Sequence, residues 1–308
     1  MGTGWSVQCY AALADQAAIL HGLENRLNQV IAQMSHWDQT SSLSRFNRAR
    51  PGTVQTLEPE FFTVMDYATF LARQTRGAYD PTAGKLVNLW GFGPEGKTAQ
   101  IAEQIPAAED IAACLHQPNW RQLDLQRLTR QITQTGGICL DLSSIAKGYA
   151  VDLLASWLES QDICSYLVEV GGELRGKGIK PDFQPWWVSI ETPYASLPEM
   201  EYVIALHDVA IATSGNYRQF FERDGKRYSH TLDPRSGYPV DNDLASVTVV
   251  DQQCMVADAL ATAFTVMGLD EAMQYADAHQ IAALFHQQQP DGFSIRLSRS
   301  MQAMCDHE

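Results

Sequence analysis

Three short stretches hold residue types whose spacing could do chemistry on a charged ligand. The first is Asp141–Asp152, where Asp141 is followed by Ser143, Ser144, Lys147 and Gly148. A carboxylate, two hydroxyls and a lysine gather at the start of a helical pattern, and a helix N-terminus already favours an anion. A capped helix with a surface lysine is the plainer alternative. The second stretch is Met255–Met267, a strongly apolar helical pattern that holds Asp258 and Thr262. These two are i and i+4, so both oxygens leave one helix face. A carboxylate in so apolar a helix needs a partner, because burying it alone is costly. A hard cation such as Mg²⁺ is one candidate, since it takes a carboxylate, a hydroxyl or carbonyl, and substrate phosphate. A backbone N–H is the other. The third stretch is Arg227–Pro239, a rigid polar loop in which His230 has Ser229 and Asp233 beside it, two groups able to set its tautomer or pKa.

The elements that must position these residues follow from periodicity and punctuation. Thr135–Leu140 reads as a glycine turn running into a short apolar strand, followed by a helix over 144–159 that Ser143 or Ser144 can cap. Lys147 then lies about one turn in. Gly148 costs roughly 1 kcal/mol against Ala inside a helix, which points to close approach of another backbone or of a ligand. Upstream, Gly4–Ala12 reads as a strand and Asp15–His36 as an amphipathic helix with Ala18, Ile19, Leu23, Leu27, Val30, Ile31 and Met34 on its apolar face. Trp37–Asn47 reads as a polar loop. Glu58–Thr75 is a helix with Pro59 in its first turn and Gly77 past its end. Ala78–Gly84 and Leu86–Pro94 are rich in glycine and aromatics. They are either tight loops with core aromatics or backbone brought close to something flat. A helix over 106–115, a hairpin within 120–140, and strands near 166–170, 187–191, 202–207, 209–213 and 245–250 complete the pattern.

The bulk properties limit the partners. The chain has 308 residues, 45% of them hydrophobic, enough for one large domain or two intimate lobes. No polar linker divides it, so a single domain over 1–308 is expected, with its core over roughly 1–290 and a tail over 291–308. A formal net charge of -14 argues against wrapping nucleic acid or docking on anionic lipid. Small anions remain suitable ligands where local cations or a metal reverse the field. No apolar run reaches the ~18 residues that would span a bilayer. Six cysteines without a C-x-x-C pair argue against zinc and suit a reducing compartment. The first residues show no export signal, so the cytoplasm is the default expectation, and the periplasmic side of the envelope follows if such a signal is missing.

Taken in order, these segments resemble the ApbE-type flavin transferases, the FAD:protein FMN transferases. The likeness rests on Met1-Gly2-Thr3, Ser42–Asn47, Gly77–Thr82 with Asn88–Gly93, Asp141–Gly148, Val170–Glu173, Ala212–Gly215, Ser229–Pro239 and Ala257–Thr262. Each motif is short, but their order and span over residues 1–290 are specific. The resemblance implies an α+β fold with mixed or antiparallel sheets and flanking helices around a cleft for FAD and Mg²⁺. It implies transfer of FMN from FAD to a Thr or Ser hydroxyl of an acceptor flavoprotein, such as a membrane redox-complex subunit, with AMP leaving. Carried over by position, Met1, Trp37, Ala78, Tyr79, Asp80, Asp141, Lys147 and the backbone of Leu232 are FAD contacts. Asp258 and Thr262 are Mg²⁺ ligands, with carbonyl help from Ser144 and Ala261, and Ser144 stands where relatives often have Ala. His230 is the general base for the incoming hydroxyl, and the flavin ring is expected among Tyr79, Trp37 and the glycine-rich loop. The alternatives are a Mg²⁺-dependent FAD diphosphatase with water as nucleophile, and a non-catalytic flavin-binding or delivery protein.

Overall fold

The computed structural model describes residues 2–12, 15–95, 105–193, 202–217, 220–289 and 292–305. It combines helices with antiparallel sheets, the α+β arrangement expected. The chain groups into two compact units, each assembled from stretches distant in sequence. Val30–Ser144 and Asn216–Asp241 form the first, and Gly2–Gln29, Ile145–Gly215 and Asn242–Glu308 the second.

The second unit is built on a seven-stranded sheet ordered Trp5–Cys9, Tyr166–Val170, Glu173–Lys177, Val209–Gly215, Leu244–Asp251, Ala282–Gln289, Gly292–Leu297. Every neighbouring pair is antiparallel. Leu244–Asp251 is rich in valine and buried along nearly its whole length, as a central strand covered on both faces must be. Trp186, Ile190, Leu206 and Met301 form an apolar cluster with Ile211, Val250 and Leu284 of the sheet. The helices Ala146–Ser160 and Cys254–Met267 pack against each other and against the sheet. Their approach explains the glycine that local propensity disfavours, because a Cβ on Gly148 would sit 2.3 Å from the Cys254 carbonyl oxygen. Asp152 of the first helix then caps the second, accepting the N–H groups of Cys254 (3.0 Å) and Met255 (2.9 Å).

The first unit carries more helix than strand. Pro59–Gln74 buries Phe61, Val64, Met65, Ala68, Leu71 and Ala72 on one face. A small sheet ordered Val54–Thr56, Gln131–Thr133, Asp124–Gln126 lies in the same unit, as do the hairpins Phe220–Arg223 with Lys226–Ser229 and Leu232–Asp233 with Tyr238–Pro239.

The residues expected as a tail beyond 290 join the second unit instead, Gly292–Leu297 as the edge strand of its sheet and Met301 in its apolar cluster. Elsewhere local structure departs from the sequence expectations at four places, each for an identifiable reason. Within the expected loop Trp37–Asn47, Ser42–Asn47 is a short helix whose cap Ser41 accepts the Ser44 N–H at 3.0 Å. Six residues are too few for periodicity to reveal. Gly84–Leu89 is likewise a helix inside an expected loop. The expected strand at Ile138–Leu140 is an isolated bridge between Ala83 and Cys139. The backbone of Leu140 is satisfied by a side chain instead, since Asn47 bonds both its N–H (2.8 Å) and its carbonyl (2.9 Å). Finally, the helix after Asp141 starts at Ala146 with Ile145 at its cap, so neither serine caps it and Lys147 lies in its first turn.

Candidate active site

In the first unit the residues expected to contact FAD converge through backbone geometry. The helix Pro59–Gln74 ends at Thr75, and Gly77 turns the chain with φ +88°. Thr75 Oγ1 accepts the N–H of Tyr79 at 3.1 Å, holding Ala78 and Tyr79 in buried positions. Asp80 then folds back on itself, its Oδ1 accepting the N–H (2.8 Å) and hydroxyl (2.6 Å) of Thr82. The carbonyl of Pro81 accepts the Asp141 N–H at 2.9 Å, and the Cys139 carbonyl accepts that of Gly84 at 3.1 Å. Gly84 is required at this crossing, because a Cβ would meet the Cys139 oxygen at 2.8 Å. Ser144 Oγ reaches the Tyr79 hydroxyl at 3.3 Å. Ala78, Tyr79, Asp80, Asp141 and Ser144 thus form one tied group.

Electrostatics single out both carboxylates of this group. Burial pushes Asp80 up to about 6 despite the Thr82 donors. Asp141 is held below the ordinary range even though burial alone would raise it, because His36 and Ser143 stabilise its charge. His36 Nδ1 lies 3.3 Å from Asp141 Oδ2. Burial would lower the His36 pKa, but the Asp141 charge and hydrogen bond outweigh it and hold the imidazole above its usual value. The exposed Trp37 holds its ring tilted by 58° to that of His36, with centroids 5.1 Å apart. His36, Asn47, Arg48, Asn88 and Asp141 line an open cleft. Met1 lies outside the described residues.

His230 lies between the two hairpins of the same unit, just after the strand Lys226–Ser229, and Leu232 opens the second. Leu232 is buried beside Leu86, Trp90, Ile111 and Phe221, so its side chain belongs to the core and its backbone alone is left for a ligand. The neighbours expected to partner His230 are engaged elsewhere. Ser229 Oγ donates to Asn216 Oδ1 at 2.8 Å and accepts the Thr231 N–H, while Asp233 takes the Arg235 guanidinium through two bonds of 2.9 and 3.0 Å. The ring of His230 stands edge-on to Phe92 with centroids 6.3 Å apart. Trp90 of the glycine-rich loop is fully buried against Tyr228 and Phe221, so its faces serve protein rings and not a flavin.

The second unit holds a buried charge cluster. Asp258 Oδ2 accepts the N–H of Gly148 at 2.9 Å, which is the backbone partner that sequence reasoning offered as the alternative to a metal. Lys147 Nζ donates to Glu173 Oε1. Burial would lower Lys147, but the charges of Asp258 and Glu173 hold it above the ordinary lysine value. Burial and the Asp258 charge push Glu173 up to about 8. Burial likewise raises Asp258, with Lys147 and the Gly148 N–H acting against it. One lysine therefore faces two buried carboxylates, and Glu173 Oε2 is a buried oxygen with no hydrogen-bond donor. The Thr262 hydroxyl lies 3.0 Å from Ser214 Oγ. The Ala261 carbonyl accepts the Thr265 hydroxyl at 2.9 Å.

These residues sit in the segments that matched by sequence, and the pattern of the ApbE family fits residues 1–285. The chain belongs to the ApbE family. A relative from Vibrio cholerae named FAD:protein FMN transferase is 40% identical over 304 residues, covering 97% of this chain and 89% of its own. One of the same name from Haemophilus influenzae is 36% identical, over 92% of this chain and 82% of its own. The solved flavin transferase ApbE from Vibrio cholerae superposes with a TM-score of 0.90 at 38% identity, covering 98% and 96% of the two chains.

Against this ApbE-family frame, sequence reasoning missed three contributors. His36 reads as the end of an amphipathic helix, and no local pattern couples it to Asp141, 105 positions on. Glu173 lay within a quoted motif but had no role until its contact with Lys147 gave it one. Trp90 carries a hydrogen bond to the His230 loop that composition cannot show.

Proposed function

We propose that this chain is an FAD:protein FMN transferase that moves FMN from FAD to a Thr or Ser hydroxyl of an acceptor flavoprotein, releasing AMP. What carries the reading is its likeness, over nearly its full length, to relatives of that name. In the step itself the acceptor oxygen bonds to the FMN-side phosphorus and the bond from that phosphorus to the bridging oxygen breaks. AMP leaves with the bridging oxygen, and the hydroxyl proton goes to the imidazole of His230.

The residues fit a hard cation. Asp258 and Thr262 offer a carboxylate and a hydroxyl from one helix face, and Asp258 uses only Oδ2 on Gly148. Burial holds both carboxyls above their ordinary values with one lysine between them, so a bound cation would favour their charged forms. Carbonyl help is assigned by position to Ser144 and Ala261, and the Ala261 oxygen keeps a second lone pair beside the Thr265 hydroxyl. Asp258 and Thr262 would hold Mg²⁺, which would supply charge neutralisation for a diphosphate. Lys147 binds and orients the phosphates, Asp141 and Asp80 hold the nucleotide with Ala78, Tyr79 and the Leu232 backbone, and Trp37 offers an exposed aromatic face to a flat ring. Met1 is assigned to FAD by position alone.

Incubation with FAD and Mg²⁺, with and without acceptor, tests the reading. AMP release that requires the acceptor supports it. AMP release without acceptor means water is the nucleophile and the protein is a diphosphatase, and no AMP in either case means a carrier.

A further inference from the structure

The glycine-rich segment Asn88–Gly93 touches the His230 loop from both sides. The helix Gly84–Leu89 ends in a turn in which Gly91 has φ +80°, and the Val87 carbonyl accepts the N–H groups of Phe92 and Gly93. That turn sends the rings of Trp90 and Phe92 into the two hairpins. Trp90 is fully buried and stacks on Tyr228, two residues before His230, with centroids 5.8 Å apart. Its other contacts are the ring of Phe221 on the paired strand at 6.4 Å and the edge of Tyr238 at 5.9 Å. Its indole N–H donates to the Gly237 carbonyl at 2.9 Å, on the far side of the loop. Gly237 is itself fixed, since a Cβ there would meet Ile111 at 2.6 Å. One indole therefore grips the strand that enters the His230 loop and the turn that leaves it, while Phe92 meets the imidazole edge.

We propose that Trp90 is a positioning residue for His230, clamping the segment Tyr228–Tyr238 so that the imidazole is presented in a fixed place. This rests on the reading of His230 as general base. A buried donor–acceptor pair with stacked rings resists sliding, whereas a hairpin pair of four-residue and two-residue strands alone does not. Displacing a catalytic base by about 1 Å can cost on the order of 100-fold in rate.

A double-mutant cycle tests the proposal, with single-turnover FMN transfer as readout and FAD affinity and thermal melting followed in parallel. Trp90→Phe keeps a ring and removes the N–H, and Trp90→Leu removes both. In the native background each is expected to slow transfer at saturating FAD, Trp90→Leu by about 10-fold or more and Trp90→Phe by less, a loss separate from any change in FAD affinity through Leu232 of the same segment. In a His230→Ala background the same substitutions are expected to cost less than about twofold, because the group they position is gone. Equal losses in both backgrounds would overturn the positioning role, as would full activity in Trp90→Leu. Were His230→Ala itself to transfer at the native rate, the base assignment would fall instead, and the clamp with it. If Trp90→Leu does not fold, the Trp90→Phe arm decides on the same criterion.

Discussion

Replacing Gly148 with Ala isolates the contact on which the charge cluster of the second unit depends. In an isolated helix the change would stabilise by about 1 kcal/mol. Here the added Cβ would lie 2.3 Å from the Cys254 carbonyl oxygen, 2.7 Å from the Cys254 carbonyl carbon and 2.8 Å from Asp258 Cβ. Two of the three are backbone atoms of a buried helix and cannot swing aside. The helices must part by roughly 1 Å to restore van der Waals distance, at an overpacking cost of about 1–3 kcal/mol. Separation also stretches the Gly148 N–H bond to Asp258, a bond to a charged group of the kind that contributes about 1.5–3 kcal/mol. The net loss is therefore about 2–4 kcal/mol, which for a protein of this size lowers the melting temperature by roughly 3–6 °C. Calorimetry without FAD or metal reads it, with Gly4→Ala as the control, since nothing lies within 4 Å of a Cβ at Gly4. A Gly148→Ala protein that melts at or above the native temperature would refute the close-approach account and the Asp258 geometry built on it.

Other outcomes follow from the same charges. Asp258→Ala should abolish Mg²⁺ binding measured by calorimetric titration in the presence of FAD, and Thr262→Val should weaken it about 10-fold; native affinity in Asp258→Ala would move the metal elsewhere. Lys147→Met should destabilise by about 3–5 kcal/mol, since it strands two buried carboxylates, whereas Glu173→Gln should cost far less; the reverse ranking in denaturant melts would contradict the cluster's charge balance. The His36–Asp141 pair gives a pH signature. Asp141 is depressed, so its contribution is present above about pH 4 and is lost as pH falls through its folded value. His36 is raised, so its contribution is full below about pH 6.5 and is lost as pH rises through its folded value. The melting-temperature gap between native protein and His36→Gln should therefore peak near pH 5–6 and close in alkali, and a gap independent of pH would show that the pair is not ionised.

The parts of the fold legible in the sequence were those whose signal is local. The long amphipathic helix Gln16–Met34, the proline-started helix Pro59–Gln74 and the apolar helix Cys254–Met267 were placed within about two residues by period and punctuation. The penalty of Gly148 correctly announced a close approach before its partner was known. What stayed hidden depended on distant partners. Ile138–Leu140 has the composition of a strand, yet Asn47 satisfies its end and no neighbour strand does. The aromatics of Asn88–Gly93 could serve a ligand or the core by composition, and only the Gly237 carbonyl and the ring of Tyr228 assign Trp90 to the protein itself. His36 and Asp141 likewise meet only after folding. Resemblance over the whole chain supplied the order of the site residues, and the geometry supplied what each one leans on.

The most direct test of the central claim is intact-mass spectrometry of a candidate acceptor after incubation with this protein, FAD and Mg²⁺. The account predicts a mass gain matching one FMN on a Thr or Ser, absent when Asp258 is replaced by Ala. Release of AMP and FMN with no adduct on any acceptor carrying such a hydroxyl would contradict it and make water the true acceptor.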